Sequence, residues 1–342
     1  MIDKYTSQIN LLKKKSLIQN KKSAIVLTVT TKKFKENIRY LPYRHLTDFL
    51  CLPIAINDDK ILEKIIKKTD GKIDTIFVDI ENKLKNCQNL FQKVIEFSKK
   101  SKIFPIKGND FTADAAFFLL ISKIGTLNQK KISILGSGNI GSKLAIKIVE
   151  SGTDVYIINS TINSSIKSAQ AINTIKPKEC KNKAIPILKK QIPNNLDVVI
   201  GFTRGIPVIT KNLVLKIKKG GLLIDGGTGT VKENAIHYCE ENKINLIRVD
   251  IRNSFKSHSE LSLVSNNFIN LIQGKKTMGK FKIVSGGIIG NIGDIVVDNI
   301  SNPNQIIGIS DGKGGLLKSK KNFEKNLLFV SKKFKINLDK NT

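Results

Sequence analysis

Three glycines in six residues, Gly136-Ser137-Gly138-Asn139-Ile140-Gly141, follow directly on the apolar run 131–135. They lead straight into 142–150, where Leu144, Ile148 and Val149 share one helical face. Strand, turn and helix in that order can hold a diphosphate. Gly136 permits the tight turn, Gly138 lets the backbone approach a pyrophosphate, and Gly141 lets the helix pack closely on the strand. The amides that open the helix, and the positive end of its dipole, then face the phosphates. The chemistry expected here is the grip on a nicotinamide dinucleotide; the blander reading is an ordinary glycine turn.

A second strand-like run, 154–158, ends in Asn159-Ser160-Thr161, at about the distance beyond the turn where an adenosine ribose is read. An acidic residue there would select NAD through the ribose 2′-hydroxyl. Asn159 and Ser160 bring no negative charge to repel a 2′-phosphate, which mildly favours NADP over NAD, with Lys167 as the nearby point charge. Two further strands run into polar, glycine-containing loops, Thr203-Arg204-Gly205 and Asp225-Gly226-Gly227. Their place at the carboxyl edge of a parallel sheet assigns them to the nicotinamide end.

The elements that must position these groups read as α/β throughout. Strands at 23–30, 73–78 and 102–106 alternate with helices at 58–68 and 90–100, the pattern of a small parallel sheet between helices. An apolar helix at 115–124 connects this part to strands at 131–135, 154–158, 197–201, 221–225 and 244–249, an open doubly wound sheet. The expected organisation is a catalytic or substrate α/β domain over 1–110, a connecting helix over 111–127, a Rossmann domain over 128–255, and a C-terminal extension over 256–342. In that extension the glycine-rich run after Lys280 reads as short strands and tight turns, before a lysine-rich helix at 322–334.

Composition narrows the function classes. The formal charge is +30, from 58 basic and 28 acidic residues, but only five of the basic residues are arginine and the lysines are spread through every segment. A dispersed charge without aromatic interleaving makes nucleic acid an unlikely partner, while still favouring small anions. Arg44, Arg204 and Arg252 stand out, because a guanidinium forks onto carboxylate or phosphate as lysine does not. Cys51, Cys87, Cys180 and Cys239 form no CxxC pair, and His45, His237 and His258 lack ligand spacing, so neither a disulfide framework nor a metal site is expected. With no apolar run near the roughly 18 residues that cross a bilayer, and no export-type amino end, no membrane insertion and a cytoplasmic location are expected.

The order of parts over about residues 100–250 resembles that of shikimate dehydrogenases, methylene-tetrahydrofolate and methylene-tetrahydromethanopterin dehydrogenases, and glutamate-type amino acid dehydrogenases. Phe111-Thr112-Ala113-Asp114-Ala115-Ala116-Phe117 is similar to the shikimate dehydrogenase segment that carries a catalytic Asp, and Ile158-Asn159-Ser160-Thr161 to its Asn-Arg-Thr. The paired serines and the Tyr-x-x-x-Lys of individual members are absent, so no particular member is implied. The resemblance implies Lys107 and Asp114 as proton-handling catalytic residues, with Asn109 and Thr112 orienting the substrate. The bland alternatives are a solvated lysine, a helix-opening acid and capping residues. The expected function is an NAD(P)-dependent dehydrogenase or reductase acting on a small polar metabolite in an interdomain cleft, with a homodimer as the candidate assembly. A non-catalytic dinucleotide-binding regulatory module, or a basic nucleic-acid or anionic-surface binder, are the competing classes.

Overall fold

The computed structural model describes residues 2–30, 38–319 and 321–337. Among these, the chain opens with helix α1 (Ile2–Ile18), followed by β1 (Lys22–Val29), β2 (Ile38–Tyr40), β3 (Arg44–His45), β4 (Phe49–Ile56), α2 (Leu62–Thr69), β5 (Thr75–Asp79), α3 (Leu90–Phe97) and β6 (Lys102–Ile106). The strands form one sheet in the order β2-β4-β1-β5-β6, with β3 also on β4; β4, β1, β5 and β6 are parallel and the two short strands antiparallel. Helices cover the parallel strands, so β4 and β5 are buried along their whole length and are mostly apolar rather than alternating. Pro53 falls at the break between β2 and β3, where the partner ladder is interrupted and a missing N–H costs least. Helix α1 buries Tyr5, Ile9 and Leu12, at helical spacing, against this sheet.

At the amino edge of the sheet, Asp70 collects the Ser98 hydroxyl at 2.7 Å and the backbone N–H groups of Lys99, Lys100 and Ser101 at 2.8–2.9 Å. Burial opposes ionisation, but these four donors outweigh it and hold the carboxyl well below the usual carboxylate range. A depressed folded-state pKa adds stability above the unfolded value of about 3.9, and that contribution is lost as pH falls through the lower folded value. Asp70→Ala is therefore expected to cost about 1–2 kcal/mol at pH 7, after allowance for solvent screening. Urea melts of both proteins at pH 7 and near pH 3 check it: the gap should narrow in acid, and an unchanged gap would contradict this account.

The second sheet follows helix α4 (Gly108–Ile124). It is built from β7 (Ile132–Leu135), α5 (Asn139–Glu150), β8 (Val155–Ile158), α6 (Ile162–Ile175), β9 (Ala184–Pro186), β10 (Leu196–Gly201), α7 (Lys211–Val214), β11 (Ile217–Asp225), α8 (Glu233–Glu241) and β12 (Asn245–Arg248). All six strands are parallel in the order β12-β11-β10-β7-β8-β9, which is the doubly wound Rossmann arrangement. The direction of winding reverses between β7 and β10, and ligands of such sheets bind at the carboxyl side of that point. Helix α4 starts at Gly108, seven residues ahead of the apolar pattern at 115–124, so Asn109, Thr112 and Asp114 all lie inside it. Its first turn is closed by a distant group, since Glu81 accepts the Asn109 N–H at 2.8 Å, and no local cap marked the start.

Helix α9 (Arg252–Asn267) follows β12, and the chain divides into two compact units at residues 259/260. The second unit carries β13 (Gly274–Met278), β14 (Phe281–Ser285), β15 (Ile295–Val297), β16 (Ile306–Ile309) and α10 (Glu324–Phe334). Its small mixed sheet runs β13-β14-β15-β16, and Ile283, Ile295, Ile306 and Ile309 pack with Leu327 and Val330 of α10. Among the described residues no helix is long and apolar enough to cross a membrane.

Candidate dinucleotide-binding site

The glycine turn lies between β7 and α5, at the carboxyl edge. Gly136 sits at φ +91° with its N–H on the Ile158 carbonyl at 2.8 Å, and a Cβ there would stand 2.6 Å from the Phe202 carbonyl oxygen. Gly141 is inside the first turn of α5, where a Cβ would stand 2.2 Å from the Gly136 oxygen. Gly138 is different. It is the N-cap of α5, with ordinary φ −72°, and a Cβ built on it meets nothing within 4 Å. No side chain caps α5, so the N–H groups of Asn139, Ile140 and Gly141 lack intrahelical partners and face that open space. Folding thus accounts for two of the three glycines, while the third has open space beside it at the start of α5.

The other dinucleotide candidates stand along the same edge. Asn159 turns back onto the glycine loop: its Oδ1 accepts the Ser137 N–H and its Nδ2 donates to the Ser137 hydroxyl, each at 2.8 Å. It therefore braces the turn. Ser160 is exposed beside it, and Thr161 caps α6 by accepting the Ser164 N–H at 3.2 Å. Thr203, Arg204 and Gly205 form a tight loop with φ +54° and +75° at the last two, closed by the Thr203 hydroxyl on the Ile206 carbonyl at 2.7 Å. Asp225 accepts the Gly229 N–H at 2.7 Å and the Thr230 hydroxyl at 2.8 Å, so it folds its own loop. Gly226 lies against the Phe202 ring and Gly227 against Thr230, where side chains would collide. The two loops join through the Gly226 N–H on the Gly201 carbonyl, at 2.9 Å.

The residues implied as catalytic do not pair with each other. Lys107, the N-cap of α4, has its Nζ 3.2 Å from Asp110, whose other oxygen takes Lys143 of α5. Lys143 also stands 3.6 Å from Glu81, Glu81 lies 3.1 Å from Lys83, and Lys83 reaches the fully buried Asp79 at 2.6 Å. This chain of charges links the carboxyl ends of β5 and β6 to the helix behind the glycine turn. Burial pushes Asp79 up from the ordinary carboxyl range even beside Lys83, whereas at Asp110 burial is outweighed by Lys143 and Lys107 and the carboxyl is held below it. Asp114 lies one turn further along α4, between Lys147 at 2.9 Å and the His258 Nε2 at 2.7 Å; these two outweigh its burial and lower its pKa. Thr112 spends its hydroxyl on the Gly108 carbonyl at 3.2 Å, while the Asn109 carboxamide has no hydrogen-bond partner among the described residues.

Asp79, Glu81, Lys83, Asp110, Lys143 and His258 were not singled out by sequence reasoning. One signal was present: Asp110 and Asp114 on α4 match Lys143 and Lys147 on α5, each pair four residues apart, so two helices running in the same sense bring them into register. Among the described residues no cluster of three or more His, Cys, Asp or Glu could hold a metal ion.

Fold and site together define an α/β protein whose second sheet is a doubly wound Rossmann arrangement with a glycine turn at its carboxyl edge. Residues 131–200 match the sequence family described as NADP oxidoreductase, coenzyme F420-dependent. No curated protein matches the sequence significantly. Among solved structures, the chain is similar to a shikimate dehydrogenase in complex with NADP+, at 12% identity over 74% of this chain and 96% of that one, with a TM-score of 0.44. It is also similar to a dipicolinate synthase from Bacillus halodurans, at 16% identity over 61% and 70% with a TM-score of 0.36. A phosphoglycerate oxidoreductase from Vibrio cholerae aligns at 12% identity over 72% and 99%, with a TM-score of 0.37.

Proposed function

We propose that the protein is an NAD(P)-dependent oxidoreductase acting on a small polar metabolite held between the carboxyl edges of its two parallel sheets. The observation that carries this reading is the open space at Gly138, a glycine with no packing reason to be one, at the uncapped start of α5. Residues Gly136 to Gly141 would hold the diphosphate, Ser160 and Thr161 the adenosine ribose, and the loops at 203–205 and 225–227 the nicotinamide half. Bound there, the dinucleotide supplies or accepts a hydride. The absence of an acidic side chain at the end of β8 supports NADP over NAD.

The chain itself must then bind the substrate and manage a proton. Lys107 and Asp114 remain the candidates, now with Asp110 and the His258–Lys147 pair as their respective partners. Lys83 and the buried Asp79 add a second couple able to share a proton, and Lys143 ties the charged row to the helix that carries the diphosphate amides. Asn109, with its carboxamide unspent, is placed to accept or donate one substrate hydrogen bond.

Thermal melts with NADPH and with NADH test the reading. A ligand at 100 times its Kd stabilises the native state by about 2.7 kcal/mol, a rise of several degrees. The expected result is such a rise, larger with NADPH. A larger rise with NADH would reverse the cofactor preference alone, whereas no rise with either nucleotide would remove the oxidoreductase reading.

A further inference from the structure

A groove of about 550 Å³ runs between α4 and α9 with β12 beneath it, and its lining includes none of the residues placed on the dinucleotide. Its volume is within the usual range for small-molecule sites, roughly 300–1,000 Å³. Ala115, Phe118, Leu119 and Ile247 supply an apolar surface, and Phe118 is 67% exposed, high for an aromatic residue. The polar groups divide into spent and unspent. Asp114 is held by Lys147 and His258, and Asp250 by Arg252 at 2.5 Å. The Ser254 and Ser257 hydroxyls donate to the Phe111 and Asn253 carbonyls. Left over are the Arg248 guanidinium, the Asn253 carboxamide and the Ser122 hydroxyl, which have no hydrogen-bond or ion-pair partner among the described residues. The carboxylates are thus neutralised within the protein, and the groove's uncompensated charge is a guanidinium.

We propose that this groove, which Asp114 and His258 of the proton-handling candidates also line, is a small-molecule site for an organic acid whose carboxylate meets Arg248 and whose apolar body covers Phe118 and Leu119. Arginine is the side chain that forks onto a carboxylate, and only five of the 58 basic residues of this lysine-rich chain are arginine. Asn253 and Ser122 give the acid further hydrogen bonds, and the +30 net charge draws anions toward the surface. The dinucleotide reading is not needed for this proposal, because the edge strand β12 is three strand spacings, about 14 Å, from the β7 that carries the glycine turn.

Calorimetric titration of the full chain tests it, with 3-phenylpropionate as the acid, 3-phenylpropan-1-ol as the uncharged control and inorganic phosphate as the bare anion. The acid is expected to bind about tenfold or more tighter than the alcohol, and phosphate to compete poorly. Arg248→Met should weaken the acid by about tenfold, Arg248→Lys by less, and Phe118→Ala by several-fold, while all three variants keep the wild-type melting response to NADPH. Equal binding of acid and alcohol, equal binding of the acid by Arg248→Met, or no binding of the acid at millimolar concentration would overturn the proposal. If the NADPH response is absent from the wild type while the acid still binds through Arg248, the cofactor reading alone fails.

Discussion

Gly138→Val is expected to leave the protein folded and to abolish its response to nicotinamide dinucleotides. The backbone at Gly138 is in a region that any residue adopts, and an added Cβ has no non-neighbouring atom within 4 Å, so the new side chain starts in open space. Replacing a glycine N-cap by an apolar residue costs at most about 1 kcal/mol. The same isopropyl group stands in the open space at the start of α5, beside the amides of Asn139, Ile140 and Gly141, where the proposed diphosphate would approach the backbone. A loss of about 100-fold in affinity, equivalent to about 2.7 kcal/mol, is expected. Urea unfolding gives the first quantity and titration with NADPH the second. Retention of wild-type affinity by a folded Gly138→Val protein would show that the ligand, if any, binds elsewhere.

Gly141→Ala should do the opposite and damage the fold itself. Its methyl carbon would sit 2.2 Å from the Gly136 carbonyl oxygen, a backbone atom whose loop is already pinned by the Ile158 carbonyl and packed on Phe202. Neither side can move without opening the β7–α5 contact that anchors the sheet, and overpacking of this kind costs about 3 kcal/mol or more. Gly152→Ala is the control. Gly152 has φ +88° but open space, so alanine there suffers only backbone strain of about 1 kcal/mol. Denaturation of the two variants side by side decides the matter, since equal costs would mean that close packing at Gly141 contributes nothing. Together the variants at 138 and 141 separate a glycine kept for a ligand from a glycine kept for the fold, within one turn.

The strand-turn-helix at 131–150 was legible in the sequence because everything it needs is local: an apolar run, glycines at three set offsets, and a helical stripe. The second parallel sheet was legible for a related reason, since strands buried on both faces show as apolar runs wherever they occur; only the short edge strand β9 escaped. Strand β4 escaped because Pro53 interrupts an otherwise apolar run, and a proline is tolerated there only because β2 and β3 leave a gap opposite it. Helix α1 escaped because its apolar positions are sparse and its stability comes from the sheet it covers.

What the amino-acid sequence determined unaided was the glycine turn and the helix start that follows it, because glycine spacing and helix polarity act over a few residues. What the tertiary structure decided was the company of every charged side chain. Asp114 meets His258 across 144 positions of chain, Lys143 meets Asp110 across 33, and Lys107 finds Asp110 rather than Asp114. Coulomb and hydrogen-bond partners are chosen by distance in space, and for helices packed side by side that distance follows from how they are laid on the sheet, which no local pattern encodes.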